Sequence, residues 1–287
     1  MMLTVTVNKL VRNKRPALQR VFFVVQFFLI VTHSNFVFCE NTSSFEIGMG
    51  VGGQSLNHYR GSSQVENVVL PFPLLIYYGN FWKIDEKDGL RGELWIDKKV
   101  EFNLSGDLEL RSSTEDNVLR QGMPELDTAM QLGPEFNVNL SGEGFDEGWK
   151  LRLPVRAAFT ITFDHPQFIG YTFNPKLTYI KPDFYKAWRL KSDFALLYSS
   201  DDFHEYYYSV SPEYVTAARP MYAAHGGYSG AYAKIGFYKR DGNWLYKFSL
   251  RYDYLGNTSF DDSPLVETES FYAFSFGMAY IFAKKAW

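Results

Sequence analysis

Histidine is the side chain best able to move protons near neutral pH, and beyond residue 40 this chain has four: His58, His165, His204 and His225. None falls in an HExxH or Cys/His pattern that would hold a metal. His204 follows Asp201 and Asp202 and precedes Ser209 and Ser211. These are the residue types of a Ser/His/Asp nucleophile, but the triad is defined by geometry and this spacing does not specify it; a loop histidine beside acids accounts for the same residues. Asp261, Asp262 and Glu267 are oxygen donors of the kind that bind Ca²⁺, and equally a solvated acidic loop. Gly50-Val-Gly-Gly53 lacks the following helix that a nucleotide loop needs. The chain therefore offers no diagnostic catalytic, cofactor or metal set. What remains is a Tyr/Arg group. Read as strand, Tyr206 and Tyr208 face one way and Tyr207 the other: an interfacial aromatic girdle, or a stacking platform in a lumen with Arg219 as polar partner. Tyr222 and Tyr228 complete this set of expected partner or lumen contacts.

The elements that must carry these residues are strands. Aromatic residues make up 18% of the chain, with 20 Tyr and 26 Phe, and aromatic rings favour pleated structure and membrane–water interfaces. In the last segment Tyr272, Phe274, Phe276, Met278, Tyr280 and Phe282 alternate with Ala273, Ser275, Gly277, Ala279 and Ile281. Trp244, Tyr246, Phe248, Leu250, Tyr252 and Tyr254 alternate with a face carrying Lys247, Arg251 and Asp253. Residues 149–163 oppose Lys150, Arg152 and Arg156 to an apolar row, residues 188–198 oppose Arg189, Lys191 and Asp193, and residues 100–110 oppose Glu101, Asp107 and Glu109. Charged faces of this density do not fit a dry core. Such segments run for roughly 9–14 residues, the length of membrane strands rather than of soluble ones. The expected fold is all-β: a closed antiparallel transmembrane barrel with aromatics toward lipid and small or charged residues toward the lumen.

Residues 1–39 differ from the rest. They hold Lys9, Arg12, Lys14, Arg15 and Arg20, no acidic residue, and an apolar run from Val21 to Val31. Eleven helical residues span only about 16 Å, too short for a hydrocarbon core. The segment reads as a cleaved signal peptide ending at Val37-Phe-Cys39, with the barrel domain at 40–287; a membrane anchor, or a lipid anchor at Cys39, is the alternative. Past Cys39 the chain has 24 basic and 32 acidic residues, net −8 against −3 overall, and no cysteine. Net acidity argues against a nucleic-acid partner. Outer-membrane lipid and lipopolysaccharide are the expected surroundings.

Strands are expected at 45–53, 67–78, 80–86, 89–96, 99–110, 129–140, 149–163, 168–180, 188–199, 203–211, 227–239, 243–255 and 270–283. Tight turns fall at 97–98 and 241–243, and long polar loops at 54–66, 111–128 and 256–269. That list has thirteen members. Bacterial barrels close with even numbers, so about twelve strands are expected, with 80–86 and 89–96 as the pair to merge. Five residues, Ala283 to Trp287, follow the last in-register aromatic Phe282.

Several short stretches carry a resemblance in order and spacing: Gly48-Met-Gly-Val51, Tyr59-Arg-Gly61, Leu70-Pro-Phe-Pro-Leu74, Tyr206-Tyr-Tyr-Ser-Val-Ser-Pro-Glu-Tyr214, Ala218-Arg-Pro-Met-Tyr222, Gly226-Gly-Tyr228 and Asp261-Asp-Ser-Pro-Leu-Val266. Over residues 45–283 the chain resembles the MltA-interacting protein/OmpV family of outer-membrane proteins. The resemblance implies an outer-membrane barrel, and the lack of a diagnostic catalytic or metal set makes one without turnover of its own the expectation. It implies either a scaffold joining a periplasmic murein hydrolase to a murein synthase, or a small-solute porin or adhesin. A scaffold needs an ordered periplasmic surface and a plugged lumen; a channel needs a continuous charged one. The inward cations permit a channel, and Glu101, Asp107 and Glu109 are the acids expected to pair with them if it closes.

Overall fold

The computed structural model describes residues 43–286 except 87, 110–116, 143 and 162–164; the leader expected over 1–39 lies outside the described residues. Period-two alternation resolves into antiparallel strands β1 (Ser44–Asn57), β2 (Val65–Tyr78), β3 (Trp82–Asp85), β4 (Gly89–Ile96), β5 (Val100–Glu109), β6 (Ala129–Asn139), β7 (Gly148–Thr160), β8 (Phe168–Phe173), β9 (Lys176–Tyr185), β10 (Trp188–Ser199), β11 (Gly227–Asp241), β12 (Trp244–Tyr254) and β13 (Ser270–Ala286). Apart from β8 and β9, each pairs with its neighbour in sequence, and β13 pairs with β1 to close the ring. β8 and β9 are one wall strand interrupted at Asn174-Pro175: β8 pairs with the end of β7 and β9 with its start, and both pair with β10. The barrel therefore has twelve staves.

The even count restores itself at a different place from the one expected. β3 and β4 are separate strands. The surplus member of the sequence list is 203–211, where Asp201–Tyr208 forms a helix, α1. The aromatic run suits strand by composition, but Ser200 at the N-cap and Asp201 and Asp202 in the first turn are helix-start signals. The tail expected beyond Phe282 is part of the wall. A bulge opposite Ile47/Gly48 leaves Phe282 unmatched, and β13 then pairs on to Ala286.

Even parity places both ends of the described chain at one rim, with the short connections. Two are two-residue hairpins. Gly242-Asn243 has the left-handed glycine such a turn calls for, φ +59°. Lys186-Ala187 takes φ +46° and +64° without one. The opposite rim carries the long connections 58–64, 117–128, 200–226 and 255–269.

Outward rows are apolar and uncovered: Phe194 is 52% exposed, Val155 47% and Phe274 46%. An exposed apolar band of this extent has lipid as its solvent. Aromatic pairs bracket it. Trp149–Tyr179 and Trp244–Tyr280 sit toward the short-turn rim, and Tyr252–Tyr272 and Phe168–Tyr171 toward the long-loop rim. No helix among the described residues is long and apolar enough to cross a membrane; the barrel crosses with strands.

Candidate functional site

The interior is organised by the β3–β4 hairpin. β4 pairs along β5 from Arg91↔Ser105 to Ile96↔Glu101, but β3 meets β2 only at Tyr77↔Ile84 and Tyr78↔Lys83. The hairpin thus leaves the wall on its β2 side. The tip is braced by Asp85, whose carboxylate accepts the Asp88 backbone N–H at 2.9 Å and an Arg91 N–H at 2.8 Å. Asp88 then reaches across the lumen. Its Oδ1 lies 2.8 Å from Arg152 Nη2 on β7 and 2.8 Å from Lys191 Nζ on β10. β10 is five staves from β4 in a ring of twelve, nearly diametric. Asp88 also borders a small cavity with Ile180, Arg189, Lys191 and Tyr238 of that far wall.

The latch joins a wider network. Glu135 on β6 takes Arg156 Nη2 at 2.9 Å and faces Arg152 Nη1 at 3.7 Å. Arg156 donates from Nε and Nη2 to Ser105 Oγ at 3.0 and 2.9 Å. Asp193 accepts the Thr178 hydroxyl at 2.6 Å, and Arg251 forks onto Asp253 at 2.6 and 2.7 Å. All the cations expected inside face inward, and the closing acids are only in part those expected. Glu101 accepts from Asn137 instead, at 3.2 Å. Asp107 is 3.8 Å from Arg156 with its side chain 65% exposed, and the Glu109 side chain is not among the described ones. Asp88, Glu135 and Asp253 make the closer pairs, and alternation along one strand cannot announce a partner such as Asp88 that lies across the ring.

Toward the short-turn rim the β1, β2, β12 and β13 side is dry. Ile76, Leu245, Ala279 and Ile281 form a buried cluster with Phe72, Leu74 and Tyr78 against it. The long-loop rim is roofed by a second core containing Tyr59, Leu126, Tyr207, Tyr208, Val210, Leu255, Phe260 and Leu265.

That cap absorbs most of the expected contact residues. The helical turn of α1, rather than strand alternation, buries Tyr207 and Tyr208 together at 1% and 4% exposure. Tyr208 stacks on Phe260 with ring centres 3.7 Å apart and donates its hydroxyl to the Arg60 carbonyl at 3.0 Å. The Tyr206 hydroxyl accepts the Asp127 N–H at 2.9 Å. Arg219 is 5% exposed and gives its guanidinium to the carbonyls of Tyr214, Gln121 and Leu119. It ties loop 117–128 to loop 209–226 and does not reach the lumen. Tyr222 bridges Val210, and Tyr228 lies against Tyr198 on the wall.

His204 is buried beneath this cap with no exposed surface. Its Nδ1–H donates to the His225 carbonyl at 2.6 Å, which leaves Nε2 to accept the Ser229 hydroxyl at 2.7 Å. The expected Ser209 and Asp201 are engaged elsewhere, with the N–H groups of Ala224 and Gly226. A Ser–His contact exists, but a carbonyl stands where a triad would hold a carboxylate, and Ser229 is itself only 3% exposed. Asp261, Asp262 and Glu267 do not converge: Glu267 accepts the Ser63 N–H at 2.9 Å. No group of three or more potential metal ligands assembles among the described residues.

Burial holds His204 below its ordinary imidazole range; nearby Arg60 adds to this and the His225 carbonyl opposes it. A base depressed in the folded state contributes stability that is complete above its unfolded value near 6.5 and declines as the pH falls below it. Limited proteolysis of the intact barrel is therefore expected to cut the cap at 200–226 several-fold faster at pH 5 than at pH 7.5. His204→Gln is expected to flatten that dependence; an unchanged pH response in the variant would rule His204 out as its source.

A family profile described as MltA-interacting protein MipA matches residues 48–282, nearly the whole described barrel. No curated protein matches the chain.

Proposed function

We propose that this chain, which belongs to the MltA-interacting protein MipA family, is a non-enzymatic outer-membrane barrel that docks periplasmic murein-remodelling enzymes, a hydrolase and a synthase, at its short-turn rim. The observation that carries the reading is the Asp88 latch: a hairpin tip ion-paired across the lumen to Arg152 and Lys191 suits a platform better than a porin. The cap over the opposite rim argues the same way. The family name itself speaks of interaction with a partner protein.

In this reading the long loops face outward and the short turns face the periplasm, following the usual asymmetry of bacterial barrels. The connection between β6 and β7 at this rim is braced at its described residues. Asn139 Nδ2 donates to the carbonyls of Lys98, Gly142 and Gly144 at 3.3, 3.3 and 2.8 Å. Glu147 and Asp146 pair with Lys181 on β9 and Arg189 on β10. An ordered surface binds without the entropic cost of first being ordered. Tyr206, Tyr207, Tyr208, Arg219 and Tyr222 then serve the docking function only indirectly, by holding the outer end shut.

The test is capture of purified murein hydrolase and synthase by the detergent-solubilised barrel. Retention of either enzyme by the native protein, reduced when Asp146 and Glu147 are both reversed to Lys, is expected. Failure to retain either overturns the scaffold reading. The same preparation checks the leader: N-terminal sequencing of the outer-membrane form is expected to begin at Glu40, and a start at Met1 would refute cleavage.

A further inference from the structure

Because β3 leaves β2 at Tyr77, β2 has no second strand partner over residues 65–76 among the described residues. An open sheet edge at membrane depth is costly unless its backbone groups are absent or covered. β2 carries Pro71 and Pro73 on this stretch, and proline has no N–H to leave unpaired. The same prolines oppose pairing with an added strand. Around Pro71 the wall is bare on both faces: Val69, pointing outward, is 62% exposed and Leu70, pointing inward, is 45% exposed. The barrel has a side opening between β2 and β5.

The row of paired residues that begins at this opening runs Leu70, Gly52, Gly277, Lys247 on β2, β1, β13 and β12. Its floor is two glycines. Phe72 leans over Gly52, where an added Cβ would lie 3.1 Å from its ring, whereas nothing lies within 4 Å of a Cβ added at Gly277. Three inter-strand steps make this trough about 14 Å long. At its far end Lys247 Nζ sits over the Tyr238 ring, 5.3 Å from its centre. No carboxylate lies within 4 Å of Lys247 among the described residues, although most other inward cations are paired. A trough floored by glycine, flanked by the Phe72 ring on one side and the Ser249 and Ser275 hydroxyls on the other, open sideways to lipid at one end and ending at an ammonium with no carboxylate within 4 Å, fits a chain of methylenes with a single anionic head.

We propose that the lumen binds a single-chain anionic amphiphile, of the fatty-acid or lysophosphatidyl class, taken laterally from the membrane between β2 and β5, with its chain against the Phe72 ring and over Gly277 and its head at Lys247. The site is independent of the short-turn rim, so it stands or falls separately from enzyme docking.

The test uses the full barrel in nanodiscs of zwitterionic phospholipid, loaded with oleate, lysophosphatidylglycerol or monoolein and analysed by native mass spectrometry. One retained molecule per barrel is expected for one or both anionic probes; which of the two is retained identifies the head-group class. Neutral monoolein is expected to be retained at least tenfold less. Lys247→Gln should lower retention of the anion about tenfold. Gly277→Leu, whose Cβ meets nothing within 4 Å, should abolish it while leaving the heat-dependent electrophoretic shift of the folded barrel intact. Retention unchanged in both variants means lipid held on the outer surface only and overturns the proposal. Absence of any stoichiometric molecule, or equal retention of monoolein, overturns it as well.

Discussion

Replacing Asp88 by Ala is expected to release the β3–β4 hairpin tip, raising amide exchange over residues 84–91 by about 30-fold with little change in β12 or β13. The substitution leaves Arg152 and Lys191, whose strands flank the β8/β9 stave on one wall, without the carboxylate that now lies 2.8 Å from each. Breaking a fully buried pair costs about 3–5 kcal/mol. Asp88 keeps 21% of its side-chain surface exposed, so solvent screening reduces this to about 2 kcal/mol, which corresponds to that rate factor. The coupling is directional. Arg152→Ala on its own leaves Asp88 with Lys191 and Glu135 with Arg156 as remaining partners, whereas Arg152→Ala combined with Asp88→Ala should cost less than the sum of the two, because the residues share one interaction. Strict additivity, or unchanged exchange in Asp88→Ala, would mean that the tip is held by its own turn and not by the far wall.

The second large effect separates the two faces of one strand. Phe276 pairs with Phe248 and Gly53 on the lipid side, and its ring covers Gly53, where an added Cβ would come within 2.4 Å of it. Phe276→Arg is expected to cost about 2–4 kcal/mol in chemical unfolding from lipid. Ser275 points inward, 2.7 Å from the Ser249 hydroxyl, beside the unfilled space over Gly277. Ser275→Arg is expected to cost less than about 1 kcal/mol, since lumen positions tolerate charge. Equal damage from the two substitutions would contradict the assignment of faces.

That assignment was legible because it depends on nothing but spacing. Tyr272 to Phe282 and Trp244 to Tyr254 announce lipid and lumen faces by alternation alone, and their strands begin and end within a few residues of where the pattern does. Elements set by tertiary contact were not legible. Tyr206 to Tyr208 read as strand because aromatics favour strand in general; packing of Tyr207 and Tyr208 under the cap outweighs that preference over an eight-residue helix. The Lys186-Ala187 turn carries no glycine to mark it. Asp88 lies in a plain acidic hairpin, and its partners are 64 and 103 residues away in sequence. No local pattern distinguishes a carboxylate that solvates a turn from one that locks a lumen. The candidate site divides the same way. Arg219 stood out by its surroundings of Tyr and Pro, but its role as a clasp on three carbonyls follows only from the approach of loop 117–128. Ser229, the residue His204 contacts, lies 25 positions downstream in β11 and had no sequence signal.

The claim that this barrel is a closed docking platform is tested most directly by recording single-channel currents from the native protein in planar bilayers while partner capture is measured on the same preparation. With the hairpin latched across the lumen and the outer rim capped, the membrane is predicted to stay silent and a murein enzyme to be retained. Steady single-channel currents with no partner recovered would contradict the account.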